Sequence, residues 1–266
     1  MKLRLVEPRR GAMWVRDGLR LFARFPFIYS AYFTGFMLLG MIVLSVPIVG
    51  VPLVLAALPW ASLIFMLISK RLLQGMPLTF SVLREPFMVS TAQTRALLLL
   101  GAVYALLTLL GIMLCDWLDG GKLALYQKHL AQDDDRSAVL LLQDSQLRLG
   151  LLFRIGIALL MAWFFWFAPA AIHWGRQTWL QSLFTSAVAC WHNRGAFLLY
   201  LLSWAAMLIL LMLLVNILFL LLGAPGVVSV GALSGALLIS TTFYASLYFT
   251  FADCFEDKFE ITDRTV

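Results

Sequence analysis

The sequence predicts an all-α polytopic membrane protein of about six transmembrane helices, and three observations predict it. Of its 266 residues, 62% are hydrophobic and only 13% charged, against about 45–50% apolar and about 25% charged in an ordinary soluble domain. The mean hydropathy is +0.91. Apolar runs of roughly 20 residues, the length that crosses a hydrocarbon core, recur along the chain. A water-soluble core of this size could not hide so much apolar surface, and a bilayer removes the need to.

The elements follow in order. Residues 1–25 are a basic tail and then an amphipathic segment of helical period. Trp14, Gly18, Leu21, Phe22 and Phe25 share one face, and Arg16, Asp17, Arg20 and Arg24 the other. A basic face opposite Trp, Leu and Phe predicts an interfacial helix. Residues 26–115 carry transmembrane helices 1–3. The first runs 26–46, turns without charge at Pro47, Gly50 and Pro52, and returns as the second, 52–70, ending at Lys70 and Arg71. The run at Pro26 is too long for the apolar region of a cleavable signal and is expected to stay as an anchor. An inner surface helix is expected over about 77–90, before the third span at 95–115.

Residues 116–147 form an outer polar, acidic segment with a short helical excursion, holding Asp116, Asp119, Asp133 to Asp135, Asp144, Lys122 and Lys128. Residues 148–252 supply helices 4–6. The fourth, 148–174, is expected to kink at Pro169, whose ring cannot continue a helical ladder. An inner amphipathic helix over 177–192 sets Trp179, Leu180, Leu183, Phe184, Ala187, Val188 and Trp191 against Thr178, Gln181, Ser182 and Thr185. Spans 196–222 and 227–252 follow, joined by an uncharged Gly-Ala-Pro-Gly turn, and 253–266 is a cytoplasmic tail. Pro59 and Pro169 each precede a surface helix and a further span. Inverted-repeat transporters give such a pattern, but hairpins with surface connectors resemble one another by composition anyway.

Orientation follows from cations beside the spans. With the N-terminus inside, fifteen Lys and Arg residues fall in inner segments, and four, Lys122, Lys128, Arg136 and Arg148, fall outside. Both termini are therefore expected in the cytoplasm. The net charge of +6 sits at the ends of apolar runs, where it meets anionic lipid and gives no reason to expect nucleic acid. Cys115, Cys190 and Cys254 form no paired motif and read as small buried hydrophobes. His129, His173 and His192 have no metal-ligand spacing, and no nucleophile-elbow or phosphate-loop pattern stands in suitable context. No cofactor, metal or catalytic residue is expected.

Ionisable groups inside spans are costly and mark function by default. Arg154, within the fourth span, admits two readings. It could contact a substrate anion or lipid phosphate, or it could snorkel outward and pair with Asp116 or Asp119 at the end of the third span. The second is favoured because antiparallel neighbours bring those groups together. Asn216 could line a polar path, though an inter-helix bond to a Ser or Thr of the sixth span is commoner. Gly231 and Gly235 form a GxxxG that lets backbones approach closely.

Four stretches carry a resemblance: Gly11, Trp14, Gly18, Leu21 and Phe22 in a GxxWxxxGxxLF pattern, then FAPAAIHW (167–174), SLFTSAVACWHNRGAF (182–197) and YFTFADCF (248–255). Together they resemble a family of uncharacterised inner-membrane proteins from beta-proteobacteria. The resemblance implies a multi-helix protein of the bacterial inner (cytoplasmic) membrane and carries no activity or ligand. The expected role is non-enzymatic, as scaffold, assembly factor or accessory subunit. Its expected partners are the lipid bilayer and either another membrane protein or a second copy. The alternative is a transporter or channel for a small or lipid-like solute.

Overall fold

The computed structural model describes residues 1–132, 134–221 and 228–256. Helices are numbered in chain order. Six helical stretches are long and apolar enough to cross a bilayer. They are α2 (Pro26–Leu44), α3 (Gly50–Leu73), α5 (Thr91–Asp119), α8 (Ser145–Phe165) continued by α9 (Ala168–Gly175), α11 (Arg194–Leu221), and the Leu233–Cys254 part of α12 (Val228–Cys254). The connecting helices are α1 (Arg10–Arg24), α4 (Glu85–Met88), α6 (Lys122–Ala131), α7 (Asp135–Leu142) and α10 (Trp179–His192). The 223–226 turn and the tail beyond Glu256, with Lys258 and Arg264, lie outside the described residues.

Helix α3 is the axis of the bundle. Seven consecutive residues, Leu63 to Ser69, are buried all round, as a helix enclosed by neighbours on every side requires. It packs on α5, α12, α2 and α9. The one hydroxyl in that run is satisfied internally: Ser69 Oγ lies 2.7 Å from Tyr29 Oη of α2 and donates to Ala245 O of α12 at 3.3 Å.

The fourth span breaks into α8 and α9, and the break has a specific cause. Pro169 stands in the first turn of α9, where its missing N–H costs nothing. An unbroken helix would close Phe167 N–H on Trp163 O. The hydroxyl of Ser186, from α10, stands in that gap, accepting from Phe167 N at 3.0 Å and donating to Trp163 O at 3.1 Å. Trp163 Nε1 adds a bond to Ala187 O at 3.1 Å. A side chain inserted into the ladder is one of the standard causes of a sharp kink. Pro59, in contrast, lies inside a continuous α3, so the two prolines do not play equivalent parts.

Two surface helices differ from the sequence reading. The helix expected over 77–90 is only a 3-10 turn at Phe80–Leu83 and the single turn of α4. Pro86 interrupts it, because a proline restricts the residue before it and offers no donor. Arg71 Nη2 to Glu85 Oε2 at 2.7 Å and the edge of Phe87 against Trp60 at 4.4 Å hold it down. In α1, the face assigned to the head-group layer is covered by protein instead. Gly11, Trp14, Val15, Gly18 and Leu21 are buried against α11 and α12. A β-carbon at Gly11 would lie 1.9 Å from Ala196 O, and one at Gly18 would lie 2.5 Å from Ser246 Cβ.

Helix α10 is turned the other way. Its buried residues are the small ones, Ser182, Ser186, Ala189 and Cys190, whereas Leu180, Phe184 and Trp191 are 62%, 71% and 58% exposed. Ser182, expected on the polar face, is fully buried, one turn before Ser186 on the same inner face. Its hydroxyl donates to Trp179 O at 2.7 Å.

Ser186→Ala is expected to destabilise the fold by about 1–3 kcal/mol, since it strands a buried N–H and a buried carbonyl. Thermal unfolding in detergent measures this, and Ser182→Ala, which removes only a bond within its own helix, is expected to cost less.

Candidate functional site

Three of the four polar residues singled out from sequence meet at one place. Helix α5 ends at Gly120 and Gly121, both at positive φ (62° and 77°), a left-handed pair that glycine adopts without steric cost. This sharp stop leaves Asp116 and Asp119 on the last turn. From α8, Arg154 Nη1 donates to Asp119 Oδ2 at 2.5 Å, and Nη2 donates to Asp116 Oδ1. The Asp119 side chain is fully buried and its other oxygen accepts from Gly121 N at 2.9 Å. The Asp116 side chain is 56% exposed. Gly150 makes the fit possible, because a β-carbon there would lie 2.6 Å from Asp119 Cβ. One guanidinium against two carboxylates leaves the trio with a net negative charge. Asp119, without Arg154, would be an uncompensated buried charge.

Beside the trio, Lys122 Nζ bonds Asp144 Oδ2 at 2.5 Å. Asp144 Oδ1 caps α8 by accepting from Gln146 N and Leu147 N at 2.8 and 3.2 Å. The bond from Lys122, followed by these amides, holds the Asp144 carboxyl below the usual carboxylate range.

A cavity of about 430 Å³ begins at Arg154 and Cys115 and runs between α3, α5, α8 and α12. Its walls are mainly apolar; Ser62, Tyr104, Thr108 and Tyr244 are its other polar contributors. It ends at Phe165, Trp166 and Phe243.

Asn216 does not join this site. Its Nδ2 donates to Met212 O of its own helix at 2.8 Å. The α12 hydroxyls Thr241 and Thr242 likewise bond their own helix, at Leu237 O and Leu238 O. Gly231 and Gly235 face α11 of the same chain. β-Carbons there would meet Phe219 and Leu211 side chains at 2.4 and 2.6 Å. Among the described residues no group of three His, Cys, Asp or Glu side chains could hold a metal.

A second polar cluster was not singled out as a site from sequence. Asp253 Oδ2, at the end of α12, accepts from Trp14 Nε1 and from Arg10 Nε, both at 2.7 Å. Arg10 Nη2 lies 2.5 Å from the same oxygen. Nearby Asn193 is almost wholly buried and binds the N-terminal segment by its backbone, accepting from Val6 N at 2.8 Å and donating to Arg4 O at 3.1 Å. Lys2–Leu3 pairs antiparallel with Phe255–Glu256, and Arg4 N reaches Cys254 O at 2.8 Å. The two ends of the described chain are thus clasped together over the α10–α11 turn. The available signal was positional: Trp14, Asn193 and Asp253 all lie in the stretches that carried the resemblance.

These helices and this arrangement of buried polar groups define an all-α polytopic membrane protein. Over 257 residues, 96% of this chain and 94% of the relative, it is 29% identical to a Burkholderia thailandensis protein named "Probable inner membrane protein". That similarity agrees with the resemblance carried by the motifs. No family model matches the chain, and no solved structure matches it.

Two outcomes test the clusters. Arg154→Met is expected to cost about 3–5 kcal/mol because it leaves Asp119 charged and unpaired in the interior. Adding Asp119→Asn is expected to restore much of the loss in the same thermal unfolding assay. Asp253→Ala is expected to cost about 1.5–3 kcal/mol, the range for hydrogen bonds to a charged group, and to speed protease cleavage within residues 1–9.

Proposed function

We propose that this chain is a non-enzymatic subunit of the bacterial inner membrane, a scaffold, assembly or accessory protein, with both termini in the cytoplasm. What supports the role is how its polar groups are used. Arg154, a cation inside the fourth span, is tied to Asp116 and Asp119 of its own chain, and the cavity beside it stops at Trp166 and Phe243. A protein built to hold its shape spends its polar side chains this way.

Two spans leave most of their surface to the surroundings. Helix α2 buries only Tyr29 and Phe33, and α11 only Ala196, Tyr200 and Trp204. Small residues and packing, not hydrophobicity, decide whether such faces meet lipid or another helix. A membrane-protein partner or a second copy seated on the half of α11 beyond Trp204 suits this reading. The cytoplasmic placement of the termini rests on the excess of Lys and Arg on that side. The inner-membrane placement rests on the relative's name.

The alternative, a transporter or channel for a small or lipid-like solute, needs a polar route past both Arg154 and Asn216. The cavity touches the first, whereas Asn216 bonds its own helix on α11. Photo-crosslinking in native membranes from position 213, where Leu213 is 55% exposed, tests the proposal. A discrete protein adduct that persists in mild detergent is expected. Lipid adducts alone, together with solute flux abolished by Asn216→Leu in a protein that still inserts, would overturn it in favour of transport.

A further inference from the structure

The cavity at Arg154 is a blind cleft with an open side. Its floor is firm: Trp166 Nε1 donates to Thr250 Oγ1 at 3.0 Å, and its ring stands edge-on to Phe243 at 5.8 Å. Around the cleft α12 packs on α3, α3 on α5 and α5 on α8, but α8 and α12 scarcely pack on each other. The seam between α8 and α12 is thus the least closed of the ring, and the α8 side chains Ile155, Leu159 and Leu160 are exposed. Arg154 and Phe165 are eleven residues apart on α8, roughly 17 Å of helix, about half of a hydrocarbon core near 30 Å thick. An acyl chain of one leaflet spans a similar depth.

The mouth has a definite charge pattern. Among the described residues, Arg154 uses Nη1 and Nη2 on the carboxylates, and a guanidinium has five N–H donors in all. Asp116 beside it is more than half exposed. A wholly anionic head group would gain Arg154 but meet the surplus negative charge of the trio. A wholly cationic one would meet Arg154. A head group with a phosphate and a primary ammonium complements both.

We propose that this cleft binds one aminophospholipid from the leaflet beside residues 120–132, with an acyl chain between α8 and α12, its phosphate on Arg154 and its ammonium on Asp116. The volume of about 430 Å³ is in the ordinary range for ligand pockets. Thr108 and Tyr104 add hydroxyls partway along an otherwise apolar wall.

Native mass spectrometry of the full chain in mild detergent, titrated with phosphatidylethanolamine, phosphatidylglycerol or water-soluble glycerophosphoethanolamine, tests the site. One phosphatidylethanolamine per chain is expected to bind about tenfold more tightly than phosphatidylglycerol, the worth of one charge-assisted hydrogen bond. Ala162→Phe, which fills the cleft without touching the ion trio, is expected to abolish that tight binding. Asp116→Asn is expected to reduce phosphatidylethanolamine to the level of phosphatidylglycerol. The exposed position of Asp116 keeps this second variant informative should the first unfold. Unchanged lipid binding in Ala162→Phe, or no head-group preference in the parent, would mean surface lipid only and overturn the proposal. Equal binding of glycerophosphoethanolamine would overturn the acyl-chain part of it.

Discussion

Hydrocarbon offers no water to complete a hydrogen bond, so a polar group inside the spans gains most when the chain itself answers it, as most do apart from Trp60 Nε1, Thr108 Oγ1 and Trp204 Nε1. The rest of the architecture depends on how this is met. Where helices touch, hydroxyls bond across: Tyr29 to Ser69, Tyr200 to Ser246, and Trp166 to Thr250. Other buried hydroxyls fold back on their own helix, as those of Thr241 and Thr242 do. The strongest case is Ser186, which replaces a backbone bond of another helix and so fixes where the fourth span bends. Arg154 follows the same rule with charge, drawing the end of α5 onto α8.

This economy explains why α1 and α10 behave oppositely although both are amphipathic. The face of α1 holds two glycines at the points of closest backbone approach and a tryptophan whose N–H reaches Asp253. That face completes the bundle. Helix α10 carries serines, alanine and cysteine on its inner face because it must come close enough to thread a hydroxyl into the α8–α9 break. Its Leu180, Phe184 and Trp191 side chains are left on the outside, which is stable only where the outside is itself partly apolar.

Much of this was legible from the sequence. Span positions follow from runs of apolar residues, and the six helical stretches match the expected ones to within a few residues. Arg154 could be matched to Asp116 and Asp119 because antiparallel neighbours at one membrane depth leave few partners for a buried cation. Asn216 stands apart from the ion trio, its amide bonded to the preceding turn of its own helix, a solution invisible in a list of candidate partners. The clasp at Asp253 and Asn193 was not legible, because its members lie more than 180 residues apart from the segment they hold.

By itself the sequence determined the solvent, the number of spans and the ends at which charge collects. These are properties of local runs, fixed by transfer free energy residue by residue. The tertiary structure decided which face of each amphipathic helix is covered, where Pro169 becomes a break while Pro59 does not, and that a cleft opens beneath Arg154. Those outcomes rest on contacts between residues remote in the chain, whose distances no periodicity encodes.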